Sequence, residues 1–186
     1  GAYTDLTPSI LDRAMFHIDN CYFLENCLIE GFAVRTNQHS NTAFRGFGGP
    51  QGALVIESII EDMAFYLKKD AIDIRIKNLY QKENCNLTPY GQLVDNNIIP
   101  EIYEKIIQSS NYRNRRLEIE KFNQVNKYKV RGMSLTGCKF GIAFTAKHLN
   151  QGNALVNLHV DGTVQVSTGA TEMGQGVNTK IRQTVA

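Results

Sequence analysis

Residues Asn41 to Gln51 read N-T-A-F-R-G-F-G-G-P-Q. Two aromatics, one arginine and three glycines fall within the eight residues Phe44 to Gln51. Glycine gives the backbone access to positive φ and lets other groups approach bare N–H donors. Phe47 lies between Gly46 and Gly48, so its ring is expected to turn outward on a loop. Pro50 presets the φ of a first helical position, and an apolar helical pattern follows at once. A glycine turn feeding a helix N-terminus is a generic anion site, because unpaired N–H groups and the helix dipole point the same way. The plainer reading is a tight turn with a packed phenylalanine.

Downstream of the loop, the periodicity predicts a helix from about Gln51 to Lys68. Val55, Ile56, Ile59, Ile60, Met63 and Leu67 are expected on its buried face, with its methionine and aromatics in the core. A second helix is predicted from Asp70, its N-cap candidate, to Tyr80. A polar connection with turn signals at Pro89-Tyr90-Gly91 leads to a third helix opened by Pro100, and a charged fourth runs from about Tyr112 to Asn126. Upstream, residues 6–20 carry apolar positions at helical spacing, and residues 21–36 read as a strand entering the loop. Arg13 and His17 stand at i and i+4, so both could act on one spot. An arginine on a helix is ordinarily a solvated charge, and a lone histidine a surface or satisfied residue.

From Val130 the pattern turns to β. Residues 132–146 alternate small and apolar positions, and residues 154–167 form two runs joined by Asp161-Gly162, a strong hairpin signal. Gly169 to Gly176 reads G-A-T-E-M-G-Q-G, a second glycine loop that opens a helix. Seven of the 15 glycines lie in the two loops 46–52 and 169–176, which suggests a phosphorylated or charged cofactor held between them. The class expected is α+β, with a mainly helical part over 1–130 and a β-rich part over 131–186.

The 186 residues suit one domain or one domain with part of another, and 42% hydrophobic with 20% charged residues is ordinary for a globular protein. A net charge of +2 argues for no particular partner. The basic stretch 111–131 lacks the interleaved aromatics that stack bases, so no nucleic acid is expected. No apolar run reaches the roughly 20 residues of a membrane span. Cys21, Cys27, Cys85 and Cys138 show neither zinc spacing nor disulfide density, so free thiols in a cytoplasmic protein are expected, with no metal held by protein side chains. The chain opens without methionine and stops inside an apparent helix, so a piece of a longer polypeptide is expected.

F-R-G-F-G-G-P-Q at 44–51 and T-E-M-G-Q-G at 171–176 resemble the molybdenum-cofactor subunit of the xanthine dehydrogenase and aldehyde oxidase family. D-R-A-M-F-H-I-D-N at 12–20 and F-G-I-A-F-T at 140–145 are similar too, in the same order and at closely matching separations. The resemblance implies hydroxylation of a purine, another heterocycle or an aldehyde with water as the oxygen source. The cofactor implied is the molybdenum cofactor (molybdopterin), with 2Fe-2S clusters and FAD on other domains or subunits. It implies that Phe47 and Phe144 sandwich a flat substrate ring. Arg13 would meet a substrate oxygen, and Thr145 would help position that arginine or the substrate. Arg45, Gly46, Met173, Gly174 and Gln175 would contact the pterin.

An arginine at position 13 leans the resemblance toward hypoxanthine and xanthine, because aldehyde-oxidising members generally lack it. An aldehyde or N-heterocycle oxidase, or a non-catalytic domain for a phosphate-bearing ligand, are the alternatives. Ala170 stands where the pattern usually has glycine. The general-base glutamate of the family should lie beyond Ala186, so the fragment alone is expected to be inactive and the full-length enzyme to be an oligomer.

Overall fold

The computed structural model describes residues 1–141, 144 and 147–186. The chain divides into two compact units, Gly1–Gly141 and Ile142–Ala186. The first is helical, with α1 (Thr7–Phe16), α2 (Gly49–Leu67), α3 (Ala71–Asn78), α4 (Ile99–Ser109) and α5 (Tyr112–Val125). In the second, a 3-10 turn (Lys147–Leu149) precedes strands β1 (Ala154–Leu158) and β2 (Val164–Thr168), then helix α6 (Val177–Val185). Helices first and an antiparallel hairpin late give the α+β arrangement expected.

The core of the first unit gathers Cys21, Tyr22, Ile56, Ile60, Ala64, Ile72, Ile74, Leu79, Tyr103 and Tyr112. Asp70 caps α3 as its position predicts, accepting from the Ile72 N–H at 3.1 Å. Its carboxylate also meets Arg116 at 3.0 Å, and Asp73 pairs with Arg113, so the basic α5 is tied down by α3. A buried polar knot sits beside the core. Glu57 accepts from the Tyr22 hydroxyl at 2.6 Å, from Asn20 at 3.2 Å and from Arg75 at 2.8 Å. Arg75 is 1% exposed and also donates to Glu61 at 2.6 Å.

Three sequence expectations are corrected. The buried stripe of α2 is Gly49, Gly52, Ile56, Ile60 and Ala64, at one three-residue and then four-residue steps. Val55, Ile59, Met63 and Leu67, expected inside, are exposed, and so are Phe65 and Tyr66. The apolar arc of the helix is wider than the stripe it buries, so periodicity alone could not choose within it.

Residues 21–36 are not a strand. Tyr22 makes one isolated bridge to Leu79, and Leu28, Phe32 and Val34 are exposed, with no ladder partner among the described residues. Residues 130–141 likewise form no strand, although the pleat is real: Met133, Leu135, Gly137 and Lys139 are half-buried and their even-numbered neighbours exposed. The backbone polar groups here find side chains instead of a ladder. Asn123 brackets Arg131 through both its N–H and its carbonyl, and Arg116 donates to the Met133 carbonyl. Asn20 donates to Gly137 and accepts from the Lys139 N–H.

The hairpin forms where Asp161-Gly162 predicts it, pairing Val156 with Val166 and Leu158 with Val164. Gly162 takes φ 85°, and the Asp161 carboxylate accepts from the Thr163 N–H at 2.9 Å. That bond holds the Asp161 pKa below its usual range. Both faces of the two strands are largely exposed.

Candidate functional site

The glycine loop takes its shape from α1. Gly46, Phe47 and Gly48 all have positive φ, at 94°, 50° and 109°. A Cβ on Gly48 would lie 2.1 Å from the Ile10 carbonyl oxygen, and one on Gly52 would lie 2.3 Å from that of Ala14. These glycines therefore let the start of α2 rest directly on the α1 backbone. Two turn bonds hold the loop: Phe47 N–H to Phe44 O at 2.8 Å and Gly49 N–H to Gly46 O at 2.9 Å. Phe47 is half-buried and Arg45 exposed, so the arginine reaches outward from a rigid turn.

Arg13 and His17 lie on the α1 turn facing this loop and are only 5% and 7% exposed. Neither is the solvated residue that a helix position ordinarily implies. Both converge on Gly141, as their i, i+4 spacing allowed. The Arg13 guanidinium Nη1 donates to the Gly141 carbonyl, and the Gly141 N–H donates to His17 Nε2 at 2.9 Å. His17 Nδ1 lies 2.8 Å from the Arg13 carbonyl. An Nε2 that accepts and an Nδ1 facing a carbonyl assign the neutral Nδ1–H tautomer. Burial is the largest influence on His17, lowering its pKa, with the charges of Arg13 and Lys139 acting the same way. The Phe140 ring is 4.7 Å from the imidazole and 5.5 Å from the guanidinium carbon of Arg13.

Asp19 and Asn20 extend the same contact. Lys139 Nζ reaches the Asp19 carboxylate, to which the Tyr80 hydroxyl also donates at 2.6 Å. Arg13, His17, Asp19 and Asn20 thus all grip residues 137–141. Sequence reasoning singled out Arg13 and noted His17 but missed Asp19, Asn20, Phe140 and Gly141. Partners more than a hundred positions away leave no local signal.

In the second unit, Phe144 is half-buried and is held through its backbone. Its N–H donates to Asn150 Oδ1 at 3.0 Å, and the Asn150 amide donates back to its carbonyl at 2.8 Å. Asn150 was also missed by sequence reasoning. Thr145 lies outside the described residues.

The second glycine loop carries its own anion. The Glu172 carboxylate accepts from the N–H groups of Gly174 at 2.8 Å, Gly176 at 3.0 Å and Asn178 at 3.2 Å. Those bonds hold its pKa below the ordinary glutamate value. The amide donors at the start of α6, read from the sequence as an open anion cradle, are therefore taken by the chain itself. Gln175 accepts from the Met173 N–H at 2.6 Å and donates to the Thr171 carbonyl at 2.8 Å, which leaves Met173 exposed at the loop tip.

Among the described residues, no three His, Cys, Asp or Glu side chains converge. Cys21, the buried thiol, is held protonated by burial, with its pKa raised to about 12.

Comparison with known proteins agrees with this chemistry. Two models described as molybdopterin cofactor-binding domain match residues 1–79 and 105–186. The chain is similar over its whole length to a xanthine dehydrogenase of Calliphora vicina (47% identical) and to one of Dictyostelium discoideum (44%). It is also 43% identical to a nicotinate hydroxylase of Emericella nidulans, again over 100% of the chain. The chain spans 14% of the length of each of these curated relatives.

Proposed function

This chain is a partial molybdopterin-binding region of the xanthine dehydrogenase family, and from that premise we propose that its parent protein oxidises hypoxanthine and xanthine to urate. Conversion of xanthine to urate takes up one water and releases two electrons and two protons. The molybdenum cofactor, when bound, supplies the two-electron chemistry, and the electrons leave through iron–sulfur clusters and FAD on other domains or subunits.

The observation that carries the reading is Arg13. It is an arginine buried in a helix of a cofactor-binding unit and anchored to the Gly141 carbonyl. A cation fixed in place before the substrate arrives costs no reorganisation when negative charge develops on a purine oxygen. Phe47, half-buried on a rigid turn, and Phe144, pinned by Asn150, supply flat apolar faces for the ring. Thr145 helps position Arg13 or the substrate. Arg45, Gly46, Met173, Gly174 and Gln175 hold the pterin. The parent works in the cytoplasm as an oligomer. The family resemblance gives no acidic side chain of these 186 residues the role of general base, and we infer that they alone do not turn over.

The test is Arg13→Met in the cofactor-loaded parent protein. Loss of one charge-stabilising donor predicts a fall of roughly a hundredfold or more in kcat/KM for xanthine. The rate on benzaldehyde, which has no second oxygen to be met, stays within a few-fold of the wild type. Retention of the xanthine rate by Arg13→Met would refute the purine reading. A second reading has support of its own: the relative named nicotinate hydroxylase matches the entire chain at 43% identity. Nicotinate turnover that exceeds xanthine turnover in the parent would favour it.

A further inference from the structure

We infer that His17 is a positioning residue for Arg13, acting through the backbone of Gly141. This step rests on the purine reading for its kinetic consequence but not for its geometry. Gly141 is held at both of its backbone polar groups: His17 Nε2 accepts its N–H at 2.9 Å, and the Arg13 guanidinium donates to its carbonyl. These two groups belong to successive peptide planes hinged at the Gly141 Cα, so with the first plane held by His17 only φ and ψ of Gly141 are left to turn the carbonyl. The imidazole is fixed in turn. Its Nδ1 lies 2.8 Å from the Arg13 carbonyl, and Phe140 lies against its ring at 4.7 Å.

The arrangement is closed: the helix backbone orients the histidine, the histidine holds the Gly141 N–H, and the Gly141 carbonyl anchors the arginine side chain of the same helix turn. Gly141 has no side chain to block this approach. A Cβ there would sit 3.5 Å from His17 Nε2 and 3.9 Å from Arg13 Nη1, ordinary contact distances. The position is thus set by hydrogen bonds rather than by crowding. The neighbouring grip of Asn20 on Gly137 and Lys139 holds the segment's approach but does not touch Gly141.

His17 therefore neither meets the substrate nor transfers a proton. It sets the angle from which Arg13 meets a substrate oxygen. The N–H of Gly141 is part-buried, so loss of its acceptor frees the residue it held.

The experiment uses the full-length, cofactor-loaded protein with three substitutions. His17→Phe keeps a ring but no acceptor, and His17→Asn is too short to reach Gly141. His17→Gln places a carbonyl oxygen near the position of Nε2. Hydrogen–deuterium exchange resolved to Gly141 reads the geometry without turnover. Exchange at Gly141 should rise roughly tenfold or more in the Phe and Asn variants and return toward the wild-type rate in the Gln variant. The xanthine-to-benzaldehyde ratio of kcat/KM should fall about tenfold in Phe and Asn and recover in Gln. Unchanged exchange at Gly141 in His17→Phe overturns the inference.

Arg13→Met separates the remaining outcomes. If it shifts the ratio and His17→Phe does not, the positioning role is wrong and the purine reading stands. If neither shifts the ratio while Gly141 exchange rises, the purine reading fails and the clamp remains. If none of the three His17 variants, Gln included, yields loaded protein, His17 is a folding residue and the inference falls.

Discussion

Burial separates Arg13 and His17 from Asp12, their exposed neighbour on the same helix. A histidine buried as the neutral form must be charged for acid to protonate it. Its pKa in the folded chain lies below the ordinary 6.5, lowered by burial and by Arg13 and Lys139, and opposed by the carboxylate of Asp19. The unfolded chain therefore binds the proton first as pH falls. Stability is fully present above the ordinary imidazole value and declines as pH drops below it toward the lowered one. Thermal unfolding of the parent between about pH 7 and pH 5 should show that decline, and His17→Gln should flatten it. An equal slope in the variant would assign the acid sensitivity elsewhere. Glu57 makes a separate prediction, since it receives Tyr22, Asn20 and Arg75 at once. Glu57→Ala leaves the buried Arg75 with only the half-exposed Glu61. It should cost about 3 kcal/mol in chemical unfolding of the parent. A loss near zero would mean that water replaces the carboxylate.

At the scale of elements, the close seat of α2 on α1 decides the site's shape. Gly48→Ala places a Cβ against the Ile10 carbonyl at a positive φ, so strain and clash act together. The expected result is a loss of more than about 2 kcal/mol, or failure to accumulate, read from soluble yield and unfolding of the parent. Gly162→Ala, at a similar φ but with open space around it, should cost only about 1 kcal/mol and serves as the control.

The same seat shows what was legible in sequence. Helices α1 to α5 were readable because proline starts, the Asp70 cap and 3.6-residue spacing are local signals. The hairpin was readable from Asp161-Gly162. The buried face of α2 was not, because its apolar arc is wider than the stripe it buries, and the deciding feature was that glycines at 48 and 52 permit close approach to α1. Residues 21–36 and 130–141 carry apolar residues suited to strands. A ladder, however, depends on a partner that no window of sequence contains. The site was half legible: glycines and arginine stand out, whereas the grip of Arg13, His17, Asp19 and Asn20 on residues 137–141 joins distant segments. Glu172 proves to be the anion of its own loop.

At the scale of the whole chain, the two units differ in what holds them. The first has a core and a buried polar knot. In the second, Leu155, Val156, Leu158 and Val164 are all more than half exposed on a two-stranded hairpin, which is marginal by itself. In the 186-residue chain, amides of 154–168 should exchange at close to unprotected rates while those of α2 and α3 are protected. Comparable protection in both would show that the hairpin needs no further strands. The parent protein carries the central claim, that this segment belongs to an enzyme that places an oxygen from water on a purine. The direct measurement is the isotopic composition of urate formed from xanthine by the molybdenum-loaded parent in water enriched in oxygen-18. The account predicts urate carrying one labelled oxygen at steady state, with none derived from dioxygen. Urate labelled from dioxygen, or no urate from a fully loaded protein, would contradict it.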